Sequence, residues 1–327
     1  MSEPDAPYAP EELIGLYQEM VRVREIEEAI AERYSEQEMR CPVHLSIGQE
    51  GTAVGACAAL RPADQIVTSH RCHGHYLAKG GDLKSMLAEI YGKAAGCCGG
   101  RGGSMHLFDK AAGVLASVPI VGSYIPLGLG AALCFKQRGE DGVALVFLGD
   151  GALEEGVFHE SANLASVLSL PVVFFVENNL YSVYTPLNQR QPGRPLSDIA
   201  KAYAMPSHEI EGNDVLSVFE TTQTAVKRAR AGDGPSFIVA ATYRWREHCG
   251  PNYDNDLGYR SEKEFQSWKD RCPVRAFGGK LRAQGVLNDA VEEKIRDGIT
   301  AEIEAAFAFA KGAPLPEETS AGDGVYA

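Results

Sequence analysis

Positive charge is scarce in this chain of 327 residues. Its 31 Lys and Arg stand against 44 Asp and Glu, a formal net charge of −13. A generic nucleic-acid binder needs a basic stripe to displace counterions from phosphates, so that class is excluded. Long apolar runs are also missing: nothing reaches the roughly 18 residues that mark a bilayer span, and no membrane partner is expected. The opening MSEPDAPYAPEEL is acidic and proline-rich, where a secretory leader has a basic start and an apolar centre. Cysteine is sparse, with eight residues in 327. That is too few for a disulfide scaffold, and reduced thiols in a cytoplasmic setting are expected.

Apolar residues make up 45% of the chain, ample for a large buried core. Residues Pro10 to Gln37 carry Leu13, Leu16, Met20, Val23, Ile26, Ile30 and Tyr34 at intervals of three or four, which predicts a long amphipathic helix. A loop and helix start follow over Cys41–Gly55, then the apolar run QIVTSH. A helix over Lys84–Tyr91 leads into GKAAGCCGGRGGSMH, a glycine density that only a tightly bending or closely approached loop accommodates. From Gly122 onward strand and helix alternate. Helices are predicted over Ile125–Phe135, Glu154–Leu168, Ile199–Ala204 and Val215–Ala229. Strands are predicted over Val143–Gly149, Pro171–Glu177, His208–Ile210 and Ser236–Arg244. Apolar strands separated by helices predict an α/β fold, a parallel sheet with helices on both faces. The expected organisation is an N-terminal helical extension (1–40), an α/β domain (41–260), and a C-terminal helical region with a loosely held tail (261–327).

The feature richest in chemistry is LVFLGDGALEEGVFHESANLASVLSLPVVFFVENN. One buried strand ends in Gly149-Asp150-Gly151, and the next ends in Asn178-Asn179. In a parallel sheet both ends lie on the carboxyl edge, where open α/β folds bind ligands. An Asp carboxylate and an Asn amide oxygen converging there suit a hard cation such as Mg²⁺ with positions left for phosphate oxygens. The glycines let a diphosphate approach amide N–H groups at the following helix start. GDG alone is ordinary turn chemistry. GDG followed some two dozen residues later by NN, both at strand ends, is the thiamine-diphosphate signature.

With these residues in place, the chain resembles the α subunit of the heterotetrameric 2-oxo acid dehydrogenase first components, which act on pyruvate, branched-chain 2-oxo acids or acetoin. The motifs are HLSIGQEG (44–51), HRCHGH (70–75), GGRGGSMH (99–106), IVGSYIPLGLGAA (120–132), GDG…ENN and YRWREH (243–248). The resemblance implies the thiamine-diphosphate-binding fold, with thiamine diphosphate and Mg²⁺ as cofactors. It implies that Asp150, Asn179 and the backbone carbonyl of Tyr181 ligate Mg²⁺. Arg71 would grip the diphosphate, with His70 beside it. Val121 would present backbone groups to the aminopyrimidine ring, and Gly149, Gly151, Ala152 and Asn179 would complete the diphosphate cradle. His44 and His248 would sit near the reacting carbon as catalytic groups, stabilising substrate or shuttling protons near neutral pH.

Thiamine-diphosphate chemistry also needs a glutamate against the aminopyrimidine ring and a second domain to hold that ring. A chain carrying all usual domains would be much longer than this one. The resemblance implies a β subunit that supplies the glutamate in an α₂β₂ assembly, and a lipoyl-bearing acyltransferase or carrier protein as acyl acceptor. The expected activity is decarboxylation of a 2-oxo acid and transfer of the acyl or two-carbon unit. A split transketolase-like enzyme taking a two-carbon unit from a ketose phosphate is the alternative, and a non-enzymatic phosphate-binding module a remoter one.

Other clusters read more blandly. His44, His70, His73, His75 and His106 with Cys41 and Cys72 lack common zinc spacings, and His75 and His106 read as structural. Cys97-Cys98 invites a redox role, but no sequence neighbour predicts a depressed thiol pKa. Three segments depart from the family pattern. EHCGPNYDNDLGYR puts ten residues between His248 and Tyr259, with Cys249 where some members carry a phosphorylated serine. NLYSVYTPLNQRQPGR (179–194) replaces a more usual run of small residues, and Pro119 stands where glycine is common.

Overall fold

The computed structural model describes residues 8–323. Residues 1–7 of the expected N-terminal extension and 324–327 of the expected tail lie outside the described residues. The chain opens with helix α1 (Pro10–Arg33), then α2 (Glu50–Ala58), strand β1 (Gln65–Thr68), α3 (His73–Ala78), α4 (Leu83–Ile90) and β2 (Val114–Ser117). Next come α5 (Ile125–Arg138), β3 (Ala144–Gly149), α6 (Gly156–Val167) and β4 (Val172–Asn178). A two-stranded hairpin of β5 (Tyr181–Ser182) and β6 (Thr185–Pro186) precedes the short helices α7 (Leu187–Arg190) and α8 (Asp198–Lys201). The chain finishes through β7 (Ser207–Glu211), α9 (Val215–Arg230), β8 (Ser236–Ala241), α10 (Glu262–Asp270), α11 (Pro273–Ala283) and α12 (Asp289–Gly312).

Six strands form one sheet in the order β2-β1-β3-β4-β8-β7, and every neighbouring pair is parallel. The β3–β4 register sets Gly149 beside Glu177, so GDG and ENN end level on one edge. Alternating residues feed two cores. Leu145, Phe147, Val173, Phe175 and Ile238 face a core shared with α1, α2, α4, α9, α11 and α12. Ala144, Val146, Val172, Phe174 and Val239 face the opposite core under α5 and α6. The parallel α/β fold with helices on both faces is therefore present as expected, and the N- and C-terminal helices pack on one face of the same sheet.

Local chemistry sets the ends of these elements. Pro10 opens α1 and Glu12 accepts a hydrogen bond from the Ala9 N–H at 2.9 Å, a capping arrangement. Gln37, at φ 59°, stops the helix short of the expected run, leaving one 3₁₀ turn over Tyr34–Glu36. Asp214 caps α9 through the Leu216 and Ser217 N–H groups.

Three differences from the sequence reading concern the loops. The helix expected from Glu154 begins at Gly156: Asp150–Glu154 forms a 3₁₀ turn after GDG, and Glu155 is extended at ψ 133°. Strand β2 and the β5–β6 hairpin carry too few residues to show a period. The tail is also less free than expected. Residues Glu318–Gly322 form a turn, and Arg101 donates to the carbonyls of Ser320 and Asp323.

The glycine loop is explained by a buried carboxylate. Glu89 accepts hydrogen bonds from the N–H groups of Cys98, Gly100, Gly102 and Gly103 at 2.6–3.1 Å. The backbone must lie close to it: a Cβ at Gly96 would fall 2.6 Å from the Glu89 Cα. Of this loop only Met105 reaches the cleft described next.

Candidate active site

Five strand ends and one loop build a cleft on the carboxyl edge of the sheet, with a volume of about 200 Å³. The segment after β1 brings Ser69, His70 and Arg71, and that after β2 brings Pro119 and Val121. Gly149, Asp150, Gly151 and Ala152 follow β3, while Glu177, Asn179 and Tyr181 come from the end of β4. His248 arrives from the segment after β8, and His44 from the loop before α2, which bridges to Gly250. All eleven candidate residues from the sequence, His44, His70, Arg71, Val121, Gly149, Asp150, Gly151, Ala152, Asn179, Tyr181 and His248, line this one cleft.

Arg71 is 5% exposed, and its guanidinium donates to the carbonyls of Leu45 (2.6 Å) and His248 (3.0 Å). It makes no salt bridge among the described residues, and burial together with nearby Arg244 pushes its pKa down to about 10. A buried cation without an anion beside a polar cleft is a site for an anionic group. Gly149 leaves the adjoining space open, since a Cβ there would touch nothing within 4 Å. Gly151 has no such room: its Cβ would meet the Ser182 Oγ at 2.9 Å, so the hairpin rests on the GDG turn.

The two asparagines divide their work. Asn178 Oδ1 accepts from the Leu180 N–H at 3.2 Å and supports Leu180 in the left-handed region, at φ 73°. Asn179, 9% exposed, faces the cleft; its amide donates to Gln49 Oε1 at 3.3 Å, and its Oδ1 accepts from the Tyr181 N–H at 3.4 Å. The Tyr181 hydroxyl turns toward α10 and donates to Glu264 at 2.7 Å. Asp150 is 1% exposed, burial raises its pKa, and its carboxylate is ion-paired with Arg190. A carboxylate, an amide oxygen and a nearby carbonyl form a hard-oxygen set that fits Mg²⁺. In this structure the Arg190 guanidinium is the cation on Asp150.

His44, His70 and His248 pack edge to face around the rest of the cleft, with ring centroids 4.7–5.2 Å apart. Burial and the charge of Arg71 hold their pKa values down, to about 2 for His44 and about 3 for His70 and His248. They are neutral imidazoles near pH 7, able to donate to a substrate oxygen or accept a proton. His44 Nδ1 is buried without a hydrogen-bond partner.

The other three histidines of the sequence cluster are held by contacts outside the trio. His73 lies between Glu27 (2.5 Å) and Ser104 (2.7 Å), His75 stacks on Phe147 and pairs with Thr68, and His106 pairs with the Gly102 carbonyl. The Cys98 thiol donates to the His106 carbonyl at 2.8 Å, and among the described residues neither Cys97 nor Cys98 hydrogen-bonds to a cationic side chain. Gln49, Glu177 and Arg190 were not singled out from sequence. Gln49 and Glu177 stood inside quoted motifs, whereas Arg190 lies 40 residues from the Asp150 it pairs with.

Two of the three segments that depart from the family pattern meet beside the cleft. Asp254, 2% exposed, accepts from the Tyr259 hydroxyl at 2.7 Å and pairs with Arg260, and Arg244 approaches it at 3.5 Å. Arg244 also donates to the Val183 carbonyl at 2.8 Å, so one guanidinium ties the 249–258 loop to the hairpin tip.

Comparison with known proteins agrees with this geometry. The family described as "Dehydrogenase E1 component" matches residues 18–319. The α subunit of acetoin:2,6-dichlorophenolindophenol oxidoreductase from Bacillus subtilis is 37% identical over 97% of this chain and 94% of its own. The pyruvate dehydrogenase E1 component α subunit of Zymomonas mobilis is 36% identical over 94% of this chain and 86% of its own. The chloroplastic α-3 subunit of rice pyruvate dehydrogenase E1 is 35% identical, covering 97% and 76%. Match length, identity and the cleft on the carboxyl edge lead to one conclusion: this chain belongs to the dehydrogenase E1 component family.

Proposed function

We propose that this chain is the α subunit of a thiamine-diphosphate- and Mg²⁺-dependent enzyme that decarboxylates a 2-oxo acid and transfers the acyl unit. The observation that carries the reading is the convergence of Arg71, Asp150 and Asn179 on one carboxyl-edge cleft. Asp150, Asn179 and the Tyr181 carbonyl would hold Mg²⁺. Arg71 and the backbone of Gly149, Gly151 and Ala152 would hold the diphosphate. When bound, thiamine diphosphate supplies an electron sink for the carbon that loses carbon dioxide.

The chain's own residues contribute position and protons. Val121 and Met105 border the cleft, and Val121 would present backbone groups to the aminopyrimidine ring. His44, His70 and His248 are held neutral, so each can donate one hydrogen bond to a substrate carboxylate or oxo oxygen and accept a proton on its other nitrogen.

The glutamate that this chemistry requires is assigned to a β subunit in an α₂β₂ assembly. Support comes from the apolar surface at the cleft: Ile120 is 68% exposed, and its neighbour Val121 and the hairpin's Val183, which both line the cleft, are exposed as well. Exposed apolar residues grouped near a cleft mark contact surfaces. A lipoyl-bearing acyltransferase or other carrier protein is assigned as acceptor, approaching over the 249–258 loop. No helix among the described residues is long and apolar enough to cross a membrane; a cytoplasmic location is part of the proposal. The test is to purify the chain with its β subunit, add thiamine diphosphate and Mg²⁺, and measure carbon dioxide release from pyruvate and branched 2-oxo acids. Release that depends on both chains and the cofactor supports the reading; none from any 2-oxo acid overturns it.

A further inference from the structure

The 179–194 segment, set apart by its sequence, delivers one cation into the cleft wall. The β5–β6 hairpin turns the chain back, and α7 ends on Arg190, whose side chain is only 9% exposed. Its guanidinium forks between the carboxylates of Asp150 and Glu154, while its Nε donates to the Thr185 carbonyl at 3.1 Å. The fork is therefore fixed at both ends: to the GDG turn through two carboxylates, and to its own hairpin through a backbone oxygen. Such a planar, two-carboxylate arrangement needs arginine.

Asp150 is the only carboxylate in the proposed Mg²⁺ set, and one of its oxygens accepts from Arg190. A divalent cation ligated there either displaces the guanidinium from Oδ2 or takes Oδ1 with a like charge on the neighbouring oxygen of the same carboxylate. We propose that Arg190 is a built-in counter-cation that competes with the divalent cation for Asp150, tying metal loading to the hairpin that carries Val183 at the cleft mouth. The inference rests on the assignment of Asp150 as a cation ligand. Glu154 gives the displaced guanidinium a second anchor, so the hairpin is loosened from Asp150 without losing every contact with the turn. Arg190 is a positioning residue in this scheme, since it acts through Asp150.

The test is Mn²⁺ binding to the α–β complex stripped of metal, followed by electron paramagnetic resonance of free Mn²⁺. Arg190→Gln removes both the competition and the repulsion, and should tighten Mn²⁺ binding on the order of tenfold, the strength of one hydrogen bond to a charged group. Arg190→Lys keeps a point charge without the fork and should fall between wild type and Arg190→Gln. Unchanged or weaker Mn²⁺ binding in Arg190→Gln overturns the inference. If that variant does not fold, Arg190→Lys decides: affinity above wild type supports the proposal, and affinity at or below it refutes it. Asp150→Asn separates the inference from the reading beneath it. If wild type and Asp150→Asn bind Mn²⁺ equally, the cation assignment itself fails.

Discussion

Asp254 holds the loop that follows His248 beside the cleft, and replacing it with alanine gives a quantitative test. The carboxylate is 2% exposed and serves Arg260, Arg244 and the Tyr259 hydroxyl together. Arg260 is 3% and Arg244 1% exposed, so the substitution strands two buried guanidinium groups. Removing one partner of a buried ion pair costs about 3–5 kcal/mol. Other anchors remain: Arg260 still donates to the carbonyls of Arg244 and Trp245, and Trp245 to that of Ile47. The penalty should therefore appear as local opening of 249–258 and the hairpin tip, with the sheet intact. An opening constant raised by roughly 10²- to 10³-fold corresponds to the lower part of that range. Amide hydrogen exchange of the α–β complex reads it directly, as faster exchange at Gly250 and Asn252, whose N–H groups bond to Val43 and Glu247. Exchange at α5 and β4 should stay unchanged. Local exchange within about threefold of wild type would refute the view that Asp254 secures this loop.

The other expectations follow from the same geometry. His248→Ala should leave thiamine-diphosphate binding nearly intact and lower acyl transfer by about 10²- to 10⁴-fold, the range of general acid–base effects; loss of cofactor instead would contradict the role given to His248. The folded chain holds three imidazoles neutral that take up protons near pH 6.5 once unfolded. Stability present above that pH should fall as pH drops from about 6.5 toward 3, because the unfolded state then binds more protons. Urea midpoints at pH 7.5 and 5.5 measure the slope, and His70→Gln should flatten it; an unchanged slope would contradict the burial argument. Glu89→Gln keeps one acceptor oxygen for four N–H donors and should cost about 1.5–3 kcal/mol in urea unfolding. A loss below about 0.5 kcal/mol would show that the glycine loop does not depend on this carboxylate.

The sheet was legible because its strands are buried on both faces and read as unbroken apolar runs, VALVFLG and PVVFFVE above all. The site was legible for a related reason: a parallel sheet puts successive strand ends on one edge, so short motifs after β1, β3, β4 and β8 converge without any long-range knowledge. What stayed hidden depends on contacts between distant residues. Arg190 lies in a segment the sequence did set apart, but nothing there distinguishes it from its polar neighbours, and its meaning comes from the fold that returns it to Asp150. Asp254 is one of two aspartates in DND, and only burial separates it from Asp256. The helix expected from Glu154 starts at Gly156 because Glu155 adopts an extended backbone, which no propensity at that position announces. Strand β2, with four residues at the sheet edge, was too short to carry a pattern.

The central claim is that this chain binds thiamine diphosphate through a cation held by Asp150. The most direct measurement is the amount of thiamine diphosphate retained per α–β pair after gel filtration in Mg²⁺, for wild type and Asp150→Ala. Retention near one cofactor per pair in wild type, and none in Asp150→Ala with the assembly intact, is the predicted result. Equal retention by both proteins, or none by either, would contradict it.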